Sequence, residues 1–159
     1  MVTRPRPVKA GILFRAFPML PGETVEGVWS ASVPWSGNDD RWGRLPKHGG
    51  NLLLTNQRLL FEPLRLPKVG PAKVLAPVLD RLAEDRKAIP LADLTGVVPF
   101  SDRAPPRLRI ALGNGEAETF IVLEHRMALI WNKGTSQRDD AIRRIATAAN
   151  VPPESSSPR

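Results

Sequence analysis

Two histidines and no cysteine are a thin kit for catalysis. His48 sits beside Gly49 and Gly50 and reads as a turn residue, and neither it nor His125 has a partner at helical metal-ligand spacing. Asp39 and Asp40 are adjacent carboxylates in a Gly-Asn-Asp loop, where such acids usually serve as solvated turn residues. Gly113-Asn114-Gly115 could suggest a phosphate loop, but a strand-like segment follows it. No helix N-terminus would then face an anion. The residues predict neither enzyme nor metal nor cofactor.

Binding chemistry is better supplied. The stretch from Trp35 to His48 carries Arg41, Arg44 and Lys47, whose donors suit phosphate. Trp42 and Leu45 beside them suit the interfacial zone of a membrane, which indole prefers. These residues, with Arg41, Trp42, Arg44 and Lys47 foremost, are the candidate lipid or anion site. In the alternative reading Trp35 and Trp42 fold into the core and the cations are simply hydrated; Trp29 and Trp131 are the better core candidates. Arg107 and Arg109 line the outer face of a strand with no aromatic beside them, so a base-stacking platform, and with it a nucleic-acid partner, is not expected.

The charge balance agrees. The 159 residues include 23 Lys and Arg against 16 Asp and Glu, a formal net charge of +7. From Arg41 to Lys73 there are seven cations and a single acid, Glu62. Such a field favours an anionic phospholipid surface or an acidic protein partner. The length suits one domain. Seventeen prolines and twelve glycines argue for short strands and turns, not a helical bundle. The lack of cysteine excludes disulfides and fits a reducing cytoplasm. No apolar run approaches the roughly 20 residues that span a bilayer. Ala10 to Phe14 is too short for a secretory signal, which needs about 7–15 apolar residues. A cytoplasmic protein, peripheral at the inner face of the membrane, is the expectation.

Along the chain, residues 1–20 read as a basic, proline-broken arm, 21–150 as the domain and 151–159 as a disordered tail. Thr24 to Ser32 is a strand with Val25, Trp29 and Ala31 on one face. Gly50 to Pro63 is a hairpin turning at Asn56-Gln57, with Leu52, Leu54, Leu59 and Phe61 inward. Residues 64–87 form an insertion whose helix starts near Ala76, placing Pro77 in its first turn. Ile89 to Phe100 gives two short strands around a turn at Ala92-Asp93. Arg107 to Leu112 alternates cleanly, Gly113 to Gly115 turns, and Ala117 to Leu123 returns. Ser136 to Asp139 has capping-box spacing, and Ala141, Ile142, Ile145, Ala146 and Ala149 form one helical stripe ended by Asn150 and two prolines.

The run Gly50-Asn51-Leu52-Leu53-Leu54-Thr55-Asn56-Gln57-Arg58-Leu59-Leu60-Phe61 resembles the G-x-L-x-L-T-N-x-R-L-x-F signature of GRAM domains, members of the pleckstrin-homology-like superfamily. Pro21 to Val25, Ile89 to Leu94 and Phe120 also match that pattern. The resemblance implies a partly open β-barrel of two antiparallel sheets capped by a C-terminal helix. It also implies a non-enzymatic module that docks on anionic lipid head groups, phosphoinositides among them, often through the loop between its first two strands. The alternative is a protein-interaction adaptor that binds through the inserted helix or a sheet edge.

Overall fold

The computed structural model describes residues 18–63, 86–101, 103–124 and 134–152. The expected N-terminal arm (but for its last three residues), the inserted helix, His125, Trp131 and most of the expected tail lie outside the described residues. Within them are β1 (Val25–Pro34), β2 (Pro46–Thr55), β3 (Arg58–Pro63), β4 (Lys87–Pro90), β5 (Leu94–Pro99), β6 (Arg107–Leu112), β7 (Ala117–Val122) and α1 (Ser136–Ala149). Short 3-10 turns occupy Trp42–Arg44 and Leu91–Asp93.

The β2–β3 hairpin forms as the sequence predicts. Leu52 faces Phe61 and Leu54 faces Leu59 across the ladder, and all four are buried. Thr55 makes the turn tight, because its hydroxyl oxygen accepts from the amides of Gln57 (3.2 Å) and Arg58 (3.0 Å). The same turn is tied to the segment before β1. Arg58 donates from Nε to Glu23 Oε1 (2.8 Å) and from Nη2 to Glu23 Oε2 (3.0 Å). Asn56 donates to the Gly22 carbonyl (3.0 Å) and accepts from the Thr24 amide (2.9 Å). Thus the Thr-Asn-Gln-Arg step and the Pro-Gly-Glu step, far apart in sequence, form one polar clamp.

The strands pair in the order β4-β3-β2-β1-β7-β6-β5, all antiparallel. Two separate sheets were expected. Instead two meanders, β1–β4 and β5–β7, are joined into one sheet by a short ladder of Ala31 with Val122 and Ser32 with Ile121. β1, with ten residues, is long enough to carry β2 along nearly its whole length and still offer its second half to β7. The sheet is not flat. Lys87 of β4 and Glu118 of β7 form an ion pair at 2.6 Å, and both face inward by register, opposite Phe61 and Ile110. In a flat sheet four strand spacings of about 4.8 Å would hold them roughly 19 Å apart. The sheet therefore curls over its inner face, and Phe61 meets Phe120 with ring centroids 5.7 Å apart. The edges β4 and β5 are not paired with each other.

The core lies inside this curl, with Trp29, Leu52, Leu54, Phe61, Leu108, Ile110 and Phe120 among its members, and α1 covers it. Ala141, Ile142, Ile145 and Ala146 are the buried stripe, packed on β1, β5 and β6. Trp29 Nε1 donates to Asp140 Oδ2 (3.1 Å), so the indole buries its ring and still satisfies its one donor. Two details differ from the sequence reading. Ser136 is the first helical residue and not a capping-box N-cap; its amide and hydroxyl both bond the Glu124 carboxylate (2.7–3.0 Å), which takes the place of Asp139. His48 is not a turn residue but a buried member of β2, opposite Val33. At its other end α1 closes as expected, with Asn150 in the left-handed conformation (φ 53°). The Gly113–Gly115 hairpin turn also forms, Gly115 taking φ 86°. Among the described residues no helix is long and apolar enough to cross a membrane.

Candidate functional site

The loop between β1 and β2 starts at Trp35 and ends at Leu45, and its ends are drawn together by the Trp35 amide donating to the Leu45 carbonyl (3.2 Å). Its polar residues fold it on itself. Ser36 Oγ accepts from the Asn38 amide (3.0 Å), and Asp40 Oδ1 accepts from the Gly43 amide (2.7 Å). Asp40 also accepts from the Ser36 hydroxyl (3.3 Å). Asp39 and Asp40 are exposed loop residues, as expected, and Asp40 in addition fastens the loop.

The loop is also bolted to the sheet. Arg107, in β6, has a fully buried side chain. Its Nη1 donates to the carbonyls of Asn38 (3.2 Å) and Gly43 (3.1 Å), and its Nη2 to Asp39 Oδ1 (2.5 Å). Arg109, two residues on along the same strand face, donates from Nη2 to the Gly37 carbonyl. Phe100 lies against both guanidiniums, its ring centroid 3.5 Å from the Arg109 Cζ and 4.9 Å from the Arg107 Cζ. The expectation that Arg107 and Arg109 line an outer face with no aromatic beside them is thus corrected: Phe100 accompanies both, and the two arginines hold the loop. Ser32 and Ile121, linked to Arg107 by strand register on that face, are buried as well.

Electrostatics follow from this arrangement. The Arg107 hydrogen bond, foremost, holds the Asp39 carboxyl below the usual carboxylate range; Ser101 and the nearby charge of Arg103 act in the same direction against partial desolvation. Desolvation, then the neighbouring Arg107, lowers Arg109 from its ordinary value. With Asp39 bound to Arg107 and Asp40 capping Gly43, the loop's acids are occupied by their own scaffold. Its cations are presented differently. Arg41 lies over the Trp42 ring (5.2 Å from Cζ to the centroid) and Lys47 over the Trp35 ring (5.7 Å from Nζ). Arg41 and Arg44 form no ion pair with the described residues.

Of the four residues singled out from sequence, Arg41, Trp42 and Arg44 sit in or beside one 3-10 turn, and Lys47 follows at the start of β2. Trp42 is 52% exposed and Trp35 is 58% exposed, so neither folds into the core. Leu45 is only half-buried. Sequence reasoning missed Trp35 as an equal partner of Trp42, and it missed the loop-holding Arg107, Arg109 and Phe100. Two arginines at alternate positions of an otherwise apolar strand were the available signal. No protein-family model matches the chain, and no curated protein matches its sequence.

Proposed function

We propose that this protein is a non-enzymatic docking module of the GRAM and pleckstrin-homology-like kind, which binds anionic lipid head groups at a cytoplasmic membrane surface through its β1–β2 loop. Support for the kind of module comes from the strand order, the curled sheet covered by a C-terminal helix, and the clamp between Glu23 and the Thr55–Arg58 turn. The clamp uses the very residues on which the resemblance rests.

The observation that carries the ligand reading is the pairing of two exposed tryptophans with cations on one fastened loop. Indole rings this exposed are costly in water and favourable at the head-group level of a bilayer. Cations beside them add about 1 kcal/mol each near an anionic surface.

Co-sedimentation with phosphatidylcholine vesicles, with and without phosphatidylserine or a phosphoinositide, at low and high salt, tests this reading. Binding is expected only with anionic lipid. It should weaken as the screening length falls from about 10 Å at 0.1 M to about 3 Å at 1 M salt, with a residue of salt-insensitive binding from the indoles. Failure to bind any vesicle at low salt would overturn the reading and turn attention to an acidic protein partner.

A further inference from the structure

We infer that Arg107 and Asp39 are positioning residues of the docking loop: together they hold residues 37–43 in a single shape before any lipid is met, so that Trp35 and Trp42 are presented ready to dock. The inference rests on the membrane-docking reading above and adds to it how the site is made rigid.

Three observations carry it. Loop acceptors from Gly37, Asn38, Asp39 and Gly43 all converge on two guanidiniums that stand two positions apart on β6. That strand is fixed on both sides, by β5 and β7, so the loop inherits the position of the sheet. Secondly, the contact leaves no room for variation at Gly43: a Cβ there would overlap the Asn38 carbonyl oxygen and come within 3.1 Å of Arg107 Nη1. Thirdly, Arg107 is buried while its partner Asp39 is 41% exposed, so the linkage runs from the interior of the protein to the loop surface. A loop that had to order its backbone on binding would lose affinity to that ordering; here the arginines fix the backbone of residues 37–43 during folding.

Asp39→Asn separates this role from simple charge. Removing an acid beside a cationic surface strengthens attraction to an anionic membrane, so electrostatics alone predicts tighter binding. A positioning role predicts the reverse, since a neutral amide is a weaker acceptor for the guanidinium and the loop loosens. Affinity for phosphatidylserine vesicles is expected to fall about fivefold to tenfold. Arg107→Lys, which keeps the charge but loses the forked geometry, should act in the same direction. Because Arg107 is buried and its variant can fail to fold, Asp39→Asn is the deciding protein, with its melting curve checked first.

The accompanying signature is spectroscopic. In protein labelled with 5-fluorotryptophan, the 19F resonances of Trp35 and Trp42 should move toward their unfolded positions in Asp39→Asn, while that of core Trp29 stays in place. Binding as tight as, or tighter than, wild type, or unmoved Trp35 and Trp42 resonances, would overturn the positioning role and leave the docking reading intact. A wild-type protein that binds no anionic vesicle at low salt would remove the docking reading, and the positioning role with it.

Discussion

Glu23 and Arg58 stand 35 positions apart in sequence and meet in a two-pronged ion pair, at 2.8 and 3.0 Å, with the Glu23 side chain fully enclosed. The pair fastens the turn of the β2–β3 hairpin to the entry of β1, and Thr55 adds a hydroxyl bond to the same carboxylate (2.8 Å). The residues that carry the hairpin signature are thus engaged in holding the fold. The docking surface proposed above lies elsewhere, at the β1–β2 loop.

The pair makes acid stability predictable. The Arg58 hydrogen bond, foremost, with help from the Leu20 amide and Thr55 against desolvation, lowers the Glu23 carboxyl from 4.5 to about 2. A depressed carboxyl contributes stability above its unfolded value, lost as pH falls from about 4.5 through 2. Discounted for solvent screening, that contribution is on the order of 1–2 kcal/mol at neutral pH. Glu23→Gln should therefore be less stable than wild type at pH 7, and the difference should shrink steadily as the pH is lowered through this window. Urea unfolding across a pH series measures it. A difference that stayed constant down to the acid limit would mean the ion pair adds no net stability.

Ile145 tests the helix assignment. Its side chain is fully buried where α1 crosses the sheet. Ile145→Asp places an unpaired carboxylate in that apolar contact, at a cost of several kcal/mol. The protein should be unfolded, or melt far below wild type, by circular dichroism. An unchanged melting temperature would show that α1 does not cover the core.

Gly43 tests the loop's shape. Alanine there must displace the Asn38 carbonyl and press on Arg107. We expect Gly43→Ala to cost roughly 1–3 kcal/mol of stability, as overpacking does. The loss should appear as faster amide exchange in residues 36–44 before any change in the strands. Unaltered exchange in the loop would contradict the packing described.

The candidate cations are tested together. Arg41, Arg44 and Lys47 changed to Ala should weaken binding to anionic vesicles by roughly two decades, at about 1 kcal/mol per cation. Trp42→Ala should lower the part that salt does not remove. Arg107 and Arg109 cannot serve as controls, because they hold the loop. Arg143 and Arg144, exposed on α1, can. If Arg143→Ala with Arg144→Ala weakened binding as much per charge as the loop variants, only nonspecific attraction would remain.

The sequence by itself determined the local elements. Alternating leucines with a Thr-Asn-Gln-Arg step specified the β2–β3 hairpin, Gly-Asn-Gly the β6–β7 turn, and a 3.6-residue stripe the helix. Each of these depends on neighbours within a few positions, so its cause is visible in the chain. The cations and tryptophans of the β1–β2 loop were likewise legible by type. Tertiary structure decided what those residues were free to do. Alternation along β6 marks Arg107 as outward-facing, and outward-facing arginines are usually wet. Only the folding of the β1–β2 loop over that face, through contacts 64 to 69 positions away in sequence, turns it into a buried anchor. Glu124 displaced the local capping pattern at Ser136 for a similar reason: the carboxylate that the Ser136 amide and hydroxyl meet comes from twelve positions back, while Asp139, which spacing suggested, accepts from Arg138 instead. Curling of the sheet, which brings Lys87 to Glu118, is a sum of small twists over several strands, and no short segment of sequence encodes it.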